Sequence, residues 1–295
     1  MNTGTWYAIL AYVMWGLTPA YWKWLHNVPA TQLICHRIIW SCIVLSCISL
    51  IYYNSKKFWQ LVLTTQLILI YLVASFLIAI NWLVYVWAVN AGFIIETSLG
   101  YFINPLISVL LGVIFFNENL RKWQCISLVI AAVSVIYLTI TYGYFPWIAL
   151  TLAITFSIYS LIKKTAPLGS IYGLIIETGI LFLPALFYLI YSESIGKGIV
   201  FHSNIISNIM IIGSGVVTIV PLIMFVYAVQ KIPLSLVGIL QYIAPTMQFL
   251  IGLLVYREPF TYHQFIGFVF IWIALFIYGI EGFFANRTEK LFVKS

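Results

Sequence analysis

Two ionisable residues of opposite charge lie 140 positions apart, each inside a long apolar segment. Arg37 follows Pro29 by eight residues and Glu177 follows Gly169 by eight, which places each residue about 12 Å into a helix. Ionisable groups in hydrocarbon are costly and by default mark functional sites. Because a guanidinium binds a carboxylate through two parallel hydrogen bonds, Arg37 predicts a carboxylate site, and Glu177 predicts an amine site. Together they would hold a zwitterion.

Two other interpretations of this pair stay open. Arg37 and Glu177 could form an internal ion pair that fixes helix packing, because a lone buried charge needs a partner or water. Glu177 could also carry a coupling proton, because a carboxyl group in a medium of low dielectric constant is readily protonated.

Polar and aromatic side chains in other apolar segments extend the candidate site. They are Trp15 in the first segment, Asn81 and Trp82 in the third, Glu96, Tyr101 and Asn104 in the fourth, and Gln241 and Tyr242 in the ninth. Amide side chains in a membrane either hydrogen-bond a substrate or join helices, and tryptophans either stack on a substrate or pack in the core. Pro105 and Pro245 free backbone carbonyls in mid-helix, which is tolerated beside a cavity.

Residue types and motifs that the sequence lacks exclude several classes of function. All seven acidic residues are glutamate, so an intramembrane aspartyl protease is excluded. Neither a Gly-x-x-x-x-Gly-Lys-Ser/Thr loop nor a His-Glu-x-x-His motif occurs, and the four cysteines contain no Cys-x-x-Cys pair. The sequence therefore predicts no catalytic residue, no metal site and no cofactor. A net charge of +7 spread over an apolar chain makes no basic stripe for nucleic acid.

The composition indicates which elements must position these residues. Of 295 residues, 63% are hydrophobic and 7% are charged, whereas soluble domains are about 45–50% apolar and about 25% charged. A spanning helix needs about 20 apolar residues. Ten such segments lie near 5–25, 31–52, 67–90, 94–116, 122–142, 145–162, 171–191, 205–229, 233–255 and 262–284. The sequence predicts an all-α integral membrane protein with ten transmembrane helices.

Basic residues are distributed unevenly between the two sides of such a bundle. With ten helices both termini face one side, which carries Lys56, Lys57, Arg121, Lys122, Lys163, Lys164, Lys231, Arg287, Lys290 and Lys294. The other side carries Lys23, Arg37, Lys197 and Arg257. Because positive charge marks the cytoplasmic side, both termini are predicted to be cytoplasmic.

Charged residues at helix ends have structural interpretations. Glu118 and Glu258 precede the fifth and tenth helices, where a carboxylate complements the helix N-terminus. Lys23 and Lys163 each end a helix and are expected to extend towards the membrane interface.

The same offset that relates Arg37 to Glu177 aligns the chain with itself more widely. Nine identities fall within residues 81–124, including the pairs Pro105/Pro245, Gly112/Gly252 and Glu118/Glu258. The predicted repeats are 1–142 and 143–295, with five helices each. Because five is odd, the second repeat enters the membrane from the opposite side, so the repeats are inverted. Inverted repeats are a common build of secondary transporters, with the site at the repeat interface.

Several stretches together resemble the RarD proteins, a branch of the EamA family within the drug/metabolite transporter superfamily. They are Trp15 to Tyr21, His36 to Ser41, Asn81-Trp82, Glu96 to Leu106, Ile176 to Thr178 and Gln241 to Thr246. The resemblance extends from about residue 5 to 284. It implies ten helices in two EamA repeats and a permease of the bacterial inner membrane. Relatives in the superfamily export amino acids and other small metabolites.

Repeat architecture and resemblance together predict a secondary transporter that works by alternating access. The expected substrate is a small amphiphilic or zwitterionic solute, such as an amino acid or a drug-like metabolite, with protons as a candidate coupling ion. Membrane lipids are the expected surroundings, and no nucleic-acid partner is expected. The alternative is a lipid flippase or scramblase, which would need a polar groove that faces the lipid. An enzyme is disfavoured because no nucleophile and base occur together.

Overall fold

The regular secondary structure is entirely α-helical in the residues that the computed structural model describes, which are 3–52, 65–91, 93–142, 145–199, 204–257 and 261–292. Within these ranges no β-strand occurs. The helices are α1 (Thr3–Trp24), α2 (Ala30–Tyr52), α3 (Thr65–Asn90), α4 (Ile94–Phe116), α5 (Lys122–Tyr142), α6 (Trp147–Thr165), α7 (Ser170–Ser194), α8 (Ile205–Lys231), α9 (Leu234–Gln241), α10 (Ile243–Leu254) and α11 (Tyr262–Phe292).

Length and composition make most of these helices suited to a bilayer. Among the described residues, eight spans are long and apolar enough to cross a membrane: α2 to α8, and the stretch Leu234–Ile251 that covers α9 and most of α10. Large apolar side chains also point away from the protein interior, among them Leu50, Phe187 and Phe276. In water such a surface would be unstable, whereas lipid solvates it. The prediction of an all-α integral membrane protein is confirmed.

Equivalent prolines affect their two helices differently. Pro245 has no N–H group to donate to the carbonyl of Gln241, and the helix is divided at Tyr242 into α9 and α10. The amide of Tyr242 donates instead to the carbonyl of Ile239 at 3.2 Å, which is a tighter turn. Pro105, in contrast, lies inside the continuous helix α4. The ninth predicted helix is therefore a broken one, and the fourth is not.

Helices from the first half of the chain pack mainly against helices from the second half. Helix α1 lies against α8 and α10, α2 against α7 and α8, α4 against α6 and α9, and α5 against α11. Two glycines permit the closest approaches. A Cβ atom on Gly215 would lie 2.6 Å from the backbone of Trp40, and one on Gly238 would lie 2.8 Å from the Pro105 carbonyl. These contacts bring α8 onto α2 and α9 onto α4.

Candidate functional site

Arg37 is buried in the bundle, with one edge of its guanidinium fixed and one nitrogen unsatisfied. Its Nε donates to the Thr218 hydroxyl on α8 at 3.0 Å. The guanidinium carbon lies 4.5 Å from the ring centroid of Trp22 and 4.9 Å from that of Trp82. Only 6% of Arg37 is exposed, and its Nη1 atom is buried without a hydrogen-bond partner. The two indole rings stabilise the cation in part, but they accept no conventional hydrogen bond from it.

Tyrosine side chains complete the surroundings of Arg37. Tyr21, Tyr85 and Tyr101 lie close enough to the guanidinium for an electrostatic interaction. The rings of Tyr85 and Tyr101 meet edge to face with their centroids 5.5 Å apart. Of the carboxylates that the structure describes, none forms an ion pair with Arg37. The structure thus brings three of the predicted site residues together: Arg37, Trp82 and Tyr101.

Glu177 is buried too, but both of its carboxylate oxygens are occupied. Oε1 accepts from Lys163 Nζ at 2.5 Å, and Oε2 accepts from the Tyr159 hydroxyl at 3.0 Å. Lys163 is fully buried, so the expectation that it extends to the interface is wrong. Its ammonium lies over the Tyr71 ring, at a place where a Cβ atom on Gly173 would come within 2.8 Å of Nζ. Because residue 173 on α7 is a glycine, there is space there for the Lys163 ammonium.

Arg37 and Glu177 do not interact directly, although α2 and α7 pack together. No hydrogen bond or ion pair joins their side chains. Glu177 does form an internal ion pair, but its partner is Lys163. The structure therefore contradicts the interpretation that Arg37 and Glu177 form an internal ion pair.

Asn81 and Asn104 both contact α6, but only one of them is satisfied. Asn81 Nδ2 donates to the Leu152 carbonyl at 2.9 Å and to the Thr155 hydroxyl at 3.0 Å. Asn104 Oδ1 accepts from the Ser157 hydroxyl at 2.7 Å, while its Nδ2 is buried without a partner. Asn81 joins α3 to α6, whereas Asn104 keeps a free donor.

The break between α9 and α10 carries two more unsatisfied polar atoms. Gln241 Oε1 and the Tyr242 hydroxyl are buried and lack a hydrogen-bond partner. The Tyr242 ring lies 6.0 Å from that of Phe102 on α4, two residues before Asn104. Three unsatisfied polar groups thus belong to the region where α4 meets the broken helix. Buried polar groups are nearly always paired in folded proteins, so unpaired ones indicate a place for water or a ligand.

Trp15 lies in the aromatic core. Its ring is 5.4 Å from Phe225 and 5.7 Å from both Tyr12 and Phe156, measured between centroids. Its backbone carbonyl accepts from Gln248 Nε2 at 3.1 Å, which ties α1 to α10. The side chain of Glu96 lies outside the described residues, and so does all of Glu258.

Glu118 caps a helix, but a different one from that expected. Its two oxygens accept from the backbone N–H groups of Leu234 at 2.7 Å and Ser235 at 2.8 Å, at the start of α9. The expectation of a cap on α5 is wrong. Asn117 ends α4 in the left-handed conformation (φ 51°), and Glu118 lies back over Gly112. The chain reversal directs the carboxylate across the bundle.

Four contact residues of the two charges were missing from the sequence prediction: Trp22 and Thr218 beside Arg37, and Tyr159 and Lys163 beside Glu177. No motif distinguishes Trp22 or Thr218 from other residues of apolar helices. Lys163 precedes Lys164 at a helix end, a pattern that is typical of an interfacial charge.

Known proteins with similar sequences support one family. The sequence profile of the EamA-like transporter family matches residues 2–140. The chain is 44% identical to the uncharacterized transporter YojE of Bacillus subtilis (97% of each chain covered). It is also 37% identical to the protein RarD of Streptomyces exfoliatus (98% of this chain and 92% of that one). A solved crystal structure covers 94% of this chain and 97% of its own with a TM-score of 0.68, and its 15% identity shows the fold alone. The chain belongs to the RarD proteins of the EamA-like transporter family.

Proposed function

We propose that this chain is a secondary transporter of the bacterial inner membrane that moves a small amphiphilic solute by alternating access. Its ten transmembrane helices form two inverted repeats, residues 1–142 and 143–295, and both termini are cytoplasmic. The solute is an amino acid or a drug-like metabolite that carries a carboxylate. Transporter relatives support the general function, and the internal symmetry and the Arg37 site support the specific one.

Helix positions support the repeat. Helices α2, α3, α4 and α5 start at residues 30, 65, 94 and 122, and α7, α8, α9 and α11 start at 170, 205, 234 and 262, which is the same offset for all four pairs. The contacts between helices show the same 140-residue symmetry. The contact of α1 with α8 corresponds to that of α6 with α3, and the contact of α4 with α6 corresponds to that of α9 and α10 with α1. Such an assembly has two related conformations, each open to one side.

The observation that carries the proposal is the unsatisfied guanidinium of Arg37. It lies where α2 meets α8, one helix from each half, with Nη1 unbonded. A substrate carboxylate would supply the missing acceptor and the missing charge together. Trp22 and Trp82 offer apolar faces to the rest of an amphiphilic solute. Because Arg37 is buried within the bundle, it does not line a groove open to lipid, which a flippase would need.

The test is uptake of a labelled metabolite panel into proteoliposomes that contain the purified protein. We expect Arg37→Gln to reduce transport of the accepted solute by at least about tenfold, because a charge-assisted hydrogen bond is lost. The matched control is Lys197→Gln, which removes an exposed positive charge from the same predicted side of the membrane. Wild-type rates in Arg37→Gln would overturn the proposed site, and transport of no panel solute by wild type would overturn the proposed function.

A further inference from the structure

We propose that the Arg37 site takes an organic monoanion, a carboxylate on an aromatic body without an ammonium group, and that this substrate is the counter-ion which the described residues do not supply. The inference rests on the proposed function and narrows its substrate class. It replaces the zwitterion that Arg37 and Glu177 predict when the sequence alone is considered.

The first step is the balance of buried charge. Of the charged side chains that the structure describes, three are buried: Arg37, Lys163 and Glu177. Lys163 and Glu177 neutralise each other at 2.5 Å. Among the described side chains, one positive charge therefore remains in the interior without a counter-ion. A buried charge that lacks a partner is strongly unfavourable, so an anion that reaches Arg37 gains the full benefit of neutralising it.

The second step is the geometry of the unsatisfied cation. Thr218 holds Nε, and the indole rings of Trp22 and Trp82 lie against the guanidinium. The polar edge that contains Nη1 is left for an acceptor. A carboxylate fits such an edge with two parallel hydrogen bonds, whereas a neutral amide or alcohol leaves the charge in place.

The third step concerns the ammonium group of a zwitterion, for which no described carboxylate is left uncompensated near Arg37. Both oxygens of Glu177 are occupied by Lys163 and Tyr159, and both oxygens of Glu118 hold N–H groups of α9. Glu281 keeps one buried oxygen, Oε2, without a hydrogen-bond partner, but it is paired with Arg121 and lies on α11, which packs against α5. Glu193 is exposed near the end of α7. Because Lys163 already neutralises Glu177, a second ammonium group would gain little net attraction there.

The fourth step is the body of the ligand. The side chains around Arg37 are Trp22 and Trp82, with Tyr21, Tyr85 and Tyr101 in electrostatic range. These rings come from α1, α3 and α4 and surround the cation with aromatic surface. Flat apolar groups stack well on such surface, so an aryl carboxylate suits the site better than a short aliphatic acid.

Binding to the purified full-length protein tests the proposal with three probes that share one phenyl-bearing body. Hydrocinnamate is a monoanion, hydrocinnamamide is its neutral amide, and phenylalanine adds an ammonium group to hydrocinnamate. Calorimetry and tryptophan fluorescence should show hydrocinnamate binding at least about tenfold more tightly than either other probe. Arg37→Gln should abolish this preference, and Arg37→Lys should keep part of it because the charge remains.

Two further variants keep the test decisive. If Arg37→Gln does not fold, Thr218→Val retains the charge, removes the bond that orients it, and should weaken hydrocinnamate binding by about fivefold. Glu193→Gln removes an exposed carboxylate near the end of α7 and is the control, so it should leave the order of the three probes unchanged. A preference for phenylalanine in wild type would establish a zwitterion site and overturn the proposal.

Other outcomes separate this inference from the proposed function. Equal binding of hydrocinnamate and hydrocinnamamide, or binding of none of the three probes, overturns the monoanion site. Transport of zwitterions without any preference for anions overturns it as well, but leaves the transporter standing. Binding of hydrocinnamate that depends on Arg37, with no transport of any solute, would instead overturn the transporter and leave the anion site in place.

Discussion

Arg37 and Glu177 occupy the same position in their respective helices, each seven residues after the first residue of α2 or α7, yet their surroundings are opposite in kind. Glu177 receives an ammonium and a phenol from α6, so each of its oxygens has a donor and its charge is neutralised. Arg37 receives one hydroxyl and two indole rings, and one of its nitrogens has no acceptor. The charge of Glu177 is thus compensated within the protein, whereas we propose that the charge of Arg37 is compensated by the substrate.

The largest effect that this comparison predicts is the loss of stability when the pair on the Glu177 side is broken. Glu177→Gln or Lys163→Met leaves one buried charge without its partner, which should lower the free energy of unfolding by about 3–5 kcal/mol. Unfolding of the purified variants in detergent, followed by heat or denaturant, measures the change.

The double variant Lys163→Met/Glu177→Gln is the matched control, because it removes both charges and leaves neither unpaired. It should recover most of the stability that each single change loses. If the single variants were as stable as wild type, the pair would not be structural, and the contrast with Arg37 would disappear.

The second prediction is that Arg37→Gln reduces transport strongly but does not destabilise the protein. In the ligand-free protein it removes a buried charge that has no described counter-ion, which is favourable, and a single hydrogen bond to Thr218, which costs about 1 kcal/mol. Stability should therefore not fall, and should rise by up to about 3 kcal/mol. Transport should nevertheless fall by at least about tenfold, because the substrate loses its counter-ion. A destabilisation of Arg37→Gln as large as that of Glu177→Gln would show that the two charges play the same structural role.

The third prediction concerns exchange across the membrane. An empty transporter must change conformation with Arg37 uncompensated, whereas a loaded one carries a neutral pair through the same barrier. Uptake of labelled hydrocinnamate into vesicles preloaded with unlabelled hydrocinnamate should therefore exceed uptake into empty vesicles by about fivefold, which corresponds to roughly 1 kcal/mol. Equal initial rates at matched membrane potential would contradict this consequence of the unpaired charge.

Sequence reasoning located the helices because the bilayer imposes their length. The predicted segments 94–116 and 122–142 coincide with α4 and α5, and 31–52 differs from α2 by one residue. The ninth segment was predicted as one helix. Its division at Tyr242 depends on how the backbone around Pro245 relaxes, which the apolar pattern does not encode, since Pro105 leaves α4 continuous.

Which residues carry the chemistry was harder to predict than where the helices lie. The cost of burying charge singles out Arg37 and Glu177 directly from the sequence. Their partners depend on helix packing: Lys163 reaches Glu177 because Gly173 leaves room for its ammonium, and Thr218 reaches Arg37 because Gly215 lets α8 approach α2. Such long-range contacts have no local sequence signal, so a pair that looked complementary proved to belong to two separate environments.

The smallest predicted effect concerns Glu118, a carboxylate whose surroundings are intermediate between those of Glu177 and Arg37. Glu118 is half-buried, and its two oxygens accept hydrogen bonds from two backbone N–H groups of α9. Its hydrogen-bond donors are therefore neutral groups of the protein itself. Glu118→Gln should lower the free energy of unfolding by about 1 kcal/mol, because the amide can accept only one of the two bonds. Glu281→Gln is the control, since its partner Arg121 is half exposed and such pairs contribute about 0–1 kcal/mol. A loss at Glu118 as large as that at Glu177 would mean that the cap on α9, and not the buried ion pair, dominates the stability of the helix interfaces.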